Sequence, residues 1–293
     1  MKKIFITGAT GFVGSNIISK LKSRYEFTIF KRDSEINITE DIVIHAAGKA
    51  HDLKNTSDSN DYYTNNTDFT KNIFENFLSS DAKIFIFLSS VKAAVDHCDD
   101  VLTEDVLPKP DTHYGKSKLL AEKYILDNIK DKRVYILRPC LIYGDGSKGN
   151  LALLNNKFKN GFPWPLSSFK TMKSFCSIDN LIFIINELIL NENIQSGIYN
   201  ISDDDPILVT DLIKLISNSN KKNILLLNVP KSIIFFSAKI GDLFNLQFNS
   251  EKLNKLTENF VVSNKKITNS LSKDLPIKTK DGLIQYFNNL NKK

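Results

Sequence analysis

The chain has 293 residues, 42% hydrophobic and 25% charged, which are ordinary globular proportions and exclude wholesale disorder. Its 39 basic and 33 acidic residues leave a formal charge of +6. The basic residues form no stripe interleaved with aromatics, so nucleic-acid binding is not expected. No apolar run is long enough for a membrane span, and the short apolar stretch before the first glycine does not suit a secretory signal. Three widely spaced cysteines, Cys98, Cys140 and Cys176, fit a reducing compartment rather than a disulfide framework, so a cytoplasmic location is expected.

The first half alternates short β-rich runs with helical spacing. Strands are predicted at 2–7, 27–30, 41–46, 83–88 and 133–137, and helices at 15–23, 68–78 and 114–129. Strand–helix–strand repeats of this kind predict an α/β fold with a doubly wound, Rossmann-type parallel sheet. A run such as Ile84-Phe85-Ile86-Phe87-Leu88 suits a strand buried on both faces. Residues 1–144 read as the dinucleotide-binding domain, with core strands able to return from later in the chain. Residues 145–293 read as a smaller, mainly substrate-binding part. There, a long loop over 144–165 carries a helix near 151–159, followed by a buried helix at 181–190 and a strand at 197–201. The triplet Asp203-Asp204-Asp205 reads as a solvated turn with helix-capping carboxylates, in preference to a metal site. Beyond residue 223 the chain is apolar and Lys- and Asn-rich, with helical spacing and no motif.

Strand one ends in Thr7-Gly8-Ala9-Thr10-Gly11-Phe12-Val13-Gly14, and a helix follows. Glycines at 8, 11 and 14 permit a tight turn, close approach to a pyrophosphate and close helix–strand packing. The helix N-terminus then offers free N–H groups to the phosphates. After strand two come Lys31 and Arg32, with Asp33 later. Basic residues there accommodate a 2′-phosphate, so NADP(H) is favoured over NAD(H). The competing reading is a solvated charged loop.

Ser89-Ser90 closes the strand that ends at Leu88, and Tyr114 and Lys118 lie one helical turn apart on a shared face. A free phenol, with a pKa near ~10, is a poor proton-transfer group at neutral pH unless a nearby cation favours its phenolate. Lys118 is placed to supply that cation, and Ser90 to hold a substrate oxygen beside Tyr114.

These pieces, with His45-Ala46-Ala47-Gly48, Asn65-Asn66-Thr67 and Arg138-Pro139-Cys140-Leu141-Ile142-Tyr143-Gly144, resemble an extended short-chain dehydrogenase/reductase of the nucleotide-sugar epimerase/reductase type. The resemblance implies catalytic Ser90, Tyr114 and Lys118. It implies cofactor contacts from Gly8, Thr10 to Gly14, Ala46, Ala47, Gly48, Asn66, Leu88, Ser89, Pro139 and Leu141 as well. A narrower similarity, through Ser89 to Lys92, Gly146 to Leu151, Pro163 to Leu166 and Lys173 to Leu181, points to bacterial 4-ketoreductases of UDP-2-acetamido-2,6-dideoxy-4-hexuloses, whose products feed surface polysaccharides. It implies substrate contacts from Ser90, Val91, Lys92, Asn150 with the loop from Lys148, Lys173 and Phe175, and no metal.

The chain departs from these relatives in places. Ala93-Ala94-Val95 replaces the Val-Tyr-Gly that many carry, and Lys173 stands where they have arginine. Ile36-Asn37-Ile38 stands in for an Asp-Ile pair beside the adenine. Related 4,6-dehydratases carry an Asp-Glu pair where this chain has Val91-Lys92, which disfavours dehydration. A UDP-sugar 4-epimerase with retained NAD, and a non-catalytic NADP-sensing protein, are the alternatives. Relatives are often homodimers through the helices that here span 66–78 and 114–129. Of the histidines, His45 reads as packed and hydrogen-bonded. His51, His97 and His113 have no metal-ligand spacing, and His113 is a candidate for the pocket wall.

Overall fold

The computed structural model describes residues 1–32, 34–49, 58–147, 149–244, 246 and 248–292. Asp33, His51 and Lys148 therefore lie outside the described residues. From the N-terminus, β1 (Lys3–Thr7) leads to α1 (Phe12–Leu21), β2 (Glu26–Ile29) and β3 (Ile42–His45). The single turn α2 (Ser59–Tyr62) passes through a π-helical stretch, Tyr63–Asp68, into α3 (Phe69–Ser79). Then come β4 (Ile84–Leu88), a 3₁₀ turn at Val91–Ala93, β5 (Val101–Leu102), α4 (His113–Asp127), β6 (Arg133–Pro139) and β7 (Leu141–Tyr143).

The second half holds α5 (Asn150–Phe158), β8 (Met172–Lys173), β9 (Phe175–Ser177), α6 (Ile178–Leu190), β10 (Gly197–Ile201), β11 (Ile207–Leu208) and α7 (Val209–Asn220). It ends with α8 (Lys231–Leu243), α9 (Ser250–Thr257), β12 (Val261–Val262), α10 (Lys265–Leu271) and α11 (Thr279–Leu290).

A six-stranded sheet runs in the order β10-β6-β4-β3-β1-β2, every neighbour parallel. Both faces are covered, which explains the fully apolar β4. Ile4 and Ile6 face a core shared with α1 and α6, whereas Phe5, Val43 and Phe85 face Phe74 and Phe77 of α3 and Ile125 of α4. The sixth strand comes from residues 197–201, so the sheet layer extends past residue 144. β1 sits between β2 and β3, so successive connections leave it in opposite directions. Their divergence opens a crevice at the carboxyl ends of β1 and β3.

Between β2 and β3 the described residues form no helix or strand. That link is too short to hold a crossover helix and a further strand, so β2 stays at the sheet edge. A second core, built from α5, α7, α8 and α11, organises the C-terminal lobe around Phe158, Trp164, Ile213, Leu283 and Phe287.

The aspartate turn departs from expectation. Asp203 is buried rather than solvated, and accepts hydrogen bonds from Ser177 N–H, Asn180 Nδ2 and Tyr143 Oη at 2.8, 2.6 and 2.9 Å. Burial raises its pKa to about 6, although these donors oppose the shift. Asp204 does cap a helix, but it is α11, through Thr279 N–H at 2.8 Å. Among the described residues no group of His, Cys, Asp or Glu could hold a metal.

Candidate active site

The glycine loop lies between β1 and α1, as its spacing predicts. Gly8 has φ +72°, and a side chain there would come within 2.6 Å of the Ala46 and Ala47 backbone. Only glycine lets the two strand-end loops meet so closely. Gly11 caps α1 without any side-chain hydrogen bond, and the first turn carries no acidic residue. The orphan N–H groups of that turn therefore suit an anion, and a dinucleotide pyrophosphate fits the cradle.

The loop after β3 is fixed by a buried hydrogen-bond chain. Ala47 N–H donates to Thr7 Oγ1 at 3.1 Å. Thr7 Oγ1 meets His45 Nδ1 at 2.7 Å, and His45 Nε2 meets Thr70 Oγ1 at 2.9 Å. Thr70 Oγ1 in turn donates to the Asn66 carbonyl at 2.7 Å. Because Thr70 donates onward, it accepts from Nε2–H, which leaves Nδ1 to accept from Thr7. His45 is thus neutral, and burial holds its pKa down at about 3. It is the packed, hydrogen-bonded histidine expected from the sequence. Asn66, fully buried in the π-helical stretch, clamps the same loop. Its Oδ1 accepts from Lys49 N–H at 2.7 Å, and its Nδ2 donates to the Lys49 carbonyl at 3.1 Å and to Ser117 Oγ at 3.1 Å.

The expected trio comes together. Ser90 caps the 3₁₀ turn, accepting from Lys92 N–H at 3.2 Å, and its hydroxyl bonds the Tyr114 phenol. Burial raises the Tyr114 pKa, the Ser90 bond opposes that rise, and Tyr62 beside it adds to it. The two tyrosine rings meet edge to face at 6.2 Å. Lys118 is buried on the same face of α4, donates to the Leu88 carbonyl at 2.9 Å and lies 4.7 Å from the centre of the Phe87 ring. Burial lowers its pKa to about 8, with Glu122 acting in the opposite sense. Lys118 Nζ also reaches Gly48, where an added Cβ would lie 3.0 Å from it and 2.8 Å from Asn66 Oδ1.

α4 is seated by a buried carboxylate on the turn before it. Asp96, buried, accepts from the backbone N–H groups of Asp111 and Thr112 at 2.7 and 2.9 Å. Thr112 caps the helix through Gly115 N–H at 3.1 Å. A Cβ at Gly115 would come 2.3 Å from the Lys92 carbonyl, so this glycine lets the helix carrying Tyr114 press against the turn carrying Ser90.

A cleft of about 740 Å³ lies beyond the end of β2, lined by Phe30, Arg32, Glu35, Ile36, Asn65 and Phe69, among others. Arg32 Nη2 donates to Asn65 Oδ1 at 3.0 Å, which aims the guanidinium along this wall. Lys31 is exposed, and its carbonyl accepts from Ser34 Oγ at 2.7 Å, so of the expected basic pair Arg32 lines the cleft.

Residues 4–202 match the NAD dependent epimerase/dehydratase family. The chain belongs to that family. It is 30% identical over 288 residues to the UDP-glucose 4-epimerase of Vibrio cholerae, covering 87% of this chain and 85% of that one. It is 28% identical over 159 residues to the UDP-2-acetamido-2,6-beta-L-arabino-hexul-4-ose reductase of Pseudomonas aeruginosa, covering 50% of this chain and 38% of that one. The fold also matches the Bordetella bronchiseptica enzyme WbmG in complex with NAD and UDP, with TM-score 0.76 and 16% identity over 99% and 95% of the two chains. RMD from Pseudomonas aeruginosa complexed with NADPH gives TM-score 0.75 and 16% identity, over 99% of both chains. The chain is accordingly an NAD(P)-dependent oxidoreductase or epimerase with the extended short-chain dehydrogenase/reductase fold.

In this member of the epimerase/dehydratase family several expected contacts have structural partners. Ser89 Oγ donates to Glu122, which forms a buried ion pair with Arg138 at 2.5 Å. Val91 and Phe175 are buried in the two cores, with Phe175 edge-on to Tyr143 at 6.4 Å. Pro139 is buried in β6 opposite Ile201. Leu141 and Asn150 are exposed, as is Thr10, whereas Phe12 and Val13 are half-buried at the start of α1.

Lys92 and Lys173 share a neighbourhood. Lys92 Nζ donates to the Asp96 carbonyl at 2.6 Å and lies 4.6 Å from the centre of the Phe260 ring. Lys173 has its pKa lowered to about 8 by burial and then by the Lys92 charge. His113 is exposed and meets Tyr63 Oη at 3.1 Å, and His97 meets Glu258 at 2.6 Å.

The sequence reading missed Tyr62, Asp96, Gly115 and Glu122. Tyr62 lies four residues before Asn66, and Glu122 four after Lys118, so helical spacing from residues already singled out would have found both.

Proposed function

We propose that this chain reduces the 4-keto group of a UDP-linked, N-acetylated 6-deoxy sugar with NADPH, for surface polysaccharide synthesis. The observation that carries the cofactor choice is Arg32, held by Asn65 against the cleft beyond β2, where a guanidinium suits the adenosine 2′-phosphate. In this reading residues 1–144, with α6 and β10, form the cofactor layer, and the rest of 145–293 binds the sugar nucleotide. The N–H groups opening α1 would hold the pyrophosphate, and Lys118, with Asn66 behind it, the nicotinamide ribose. A nicotinamide bound there would supply the hydride for reduction at C4 of the sugar.

The protein supplies the matching proton. Tyr114 is protonated at neutral pH because burial raises its pKa, so it can donate to the C4 oxygen as that oxygen gains charge. Ser90 holds that oxygen beside the phenol. Lys118 stabilises the phenolate left behind, which requires its own charge. Turnover in the reducing direction is therefore expected to fall as pH rises through about 8.

A second reading is a UDP-sugar 4-epimerase with retained NAD. It draws support from Glu35 on the same cleft wall, a carboxylate suited to a ribose 2′-hydroxyl, and from the likeness to the Vibrio epimerase. The reading further includes a cytoplasmic location and a homodimer through α3 and α4, where Leu120 and Leu126 of α4 are exposed. Titration of the purified protein with NADPH and NADH tests the cofactor choice. Tighter NADPH binding that Arg32→Ala removes supports the reduction. A preference for NADH unchanged by Arg32→Ala keeps the reduction but removes Arg32 as the 2′-phosphate contact.

A further inference from the structure

α8 carries an apolar face that nothing in the described residues covers. Ile234, Ala238 and Gly241 face inward to the C-terminal core. On the outer side Ile233, Phe236, Ile240, Leu243 and Phe244 recur at helical spacing, one continuous stripe. Phe236 and Phe244 are each 67% exposed and Leu243 76%. Leu246 and Phe248, also exposed, follow in the turn to α9. The end of α8 packs against the start of α9: a Cβ at Gly241 would strike the Phe248 carbonyl, Leu246 N–H donates to the Gly241 carbonyl at 2.8 Å, and Asp242 accepts from Ser250 N–H at 2.9 Å. The apolar side chains of α8 are thus displayed beside α9. A contiguous apolar surface of this kind marks an interaction site.

The charge of the segment that carries the stripe says what covers it. Residues 221–257 hold six lysines, at 221, 222, 231, 239, 252 and 255, against two carboxylates, Asp242 and Glu251. Both carboxylates are engaged, Asp242 with Ser250 at the start of α9 and Glu251 with Lys255 at 2.6 Å. One short segment therefore supplies a net charge of four out of the whole chain's six. Lys239 falls one turn from both Phe236 and Leu243, at the border of the stripe, and every one of these lysines is exposed. A helix with phenylalanine and leucine on one side and lysine along its edge matches an anionic lipid surface, the apolar side chains entering the acyl boundary and the ammonium groups the headgroup layer. Among the described residues no helix is long and apolar enough to cross a membrane, so the association is peripheral.

We propose that the α8–α9 hairpin docks this chain on an anionic bilayer surface. The proposal is independent of which sugar the active site takes. It is tested by flotation of the full chain with phosphatidylglycerol-containing vesicles and with pure phosphatidylcholine vesicles, alongside light scattering of the protein alone. The chain is expected to float with the anionic vesicles, less so in high salt, and not with the neutral ones. Phe236→Asp with Leu243→Asp should abolish flotation while leaving the melting temperature and NADPH binding unchanged. Lys231→Gln and Lys239→Gln should each weaken it about fivefold. Absence of flotation, or flotation indifferent to lipid charge, overturns the proposal. So does a dimer that fails to bind vesicles and dissociates in the Phe236→Asp, Leu243→Asp variant, which would assign the stripe to a second copy of the chain.

Discussion

The two ends of the nucleotide crevice are built differently. At the catalytic end every expected polar side chain has a fixed partner: Tyr114 bonds Ser90, Lys118 bonds the Leu88 carbonyl, and Asn66 clamps Lys49 and Ser117. At the far end Arg32 lies exposed on a loop, with Asn65 as its one side-chain partner among the described residues, in a wall that also carries Glu35. Chemistry that needs a proton placed at one atom demands preorganisation, whereas distinguishing two dinucleotides demands only one charge within reach. Substitutions at the first end should accordingly cost rate or fold, and those at the second should shift preference alone.

The comparison breaks most sharply at Tyr114. Tyr114→Phe keeps the ring and removes the proton, so kcat is expected to fall about 10²–10⁴-fold with the fold intact. Near-normal turnover in a steady-state assay would remove Tyr114 as the donor. Glu122→Gln tests the support behind Lys118. It leaves Arg138 charged and buried without its partner, a loss of roughly 3–5 kcal/mol. Denaturant melts should show it as a lower midpoint.

At the far end Arg32→Ala should weaken NADPH binding by roughly tenfold to a hundredfold, the range for a lost charged hydrogen bond, and leave NADH binding alone. Isothermal titration measures both. The effect that is absent at neutral pH and appears only in acid is the pH dependence set by His45. The unfolded chain takes up a proton there near pH 6.5 but the folded chain only at about 3. This contribution to stability is therefore complete above pH 6.5 and declines as pH falls toward 3. Replacing His45 with Gln should flatten that part of the stability curve.

The same contrast explains what was legible in the sequence. The glycine loop, the sheet strands and the Ser90, Tyr114 and Lys118 set were readable because each depends on local spacing: glycines around one turn, apolar runs along one strand, four residues along one helix. Asp96 reaches Asp111 and Thr112 across fifteen residues or more, and Gly115 is required by the approach of the Lys92 carbonyl. Neither leaves a periodic trace. The buried Asp203 looked like a solvated turn because its three donors come from β7, β9 and α6, far away in the chain. In the C-terminal lobe, strands of two and three residues such as β8 and β9 are too short to show any period. The outer stripe of α8 had the helical spacing of a core face, and only the fold shows that it points outward.

One-way reduction with an exchangeable NADPH is decided by the dinucleotide that the purified protein carries. After denaturation the released material is identified by absorbance and mass. A reductase should release little or no bound dinucleotide and should consume added NADPH with a UDP-4-keto sugar. Stoichiometric NAD released from the protein would contradict it and make this chain an epimerase.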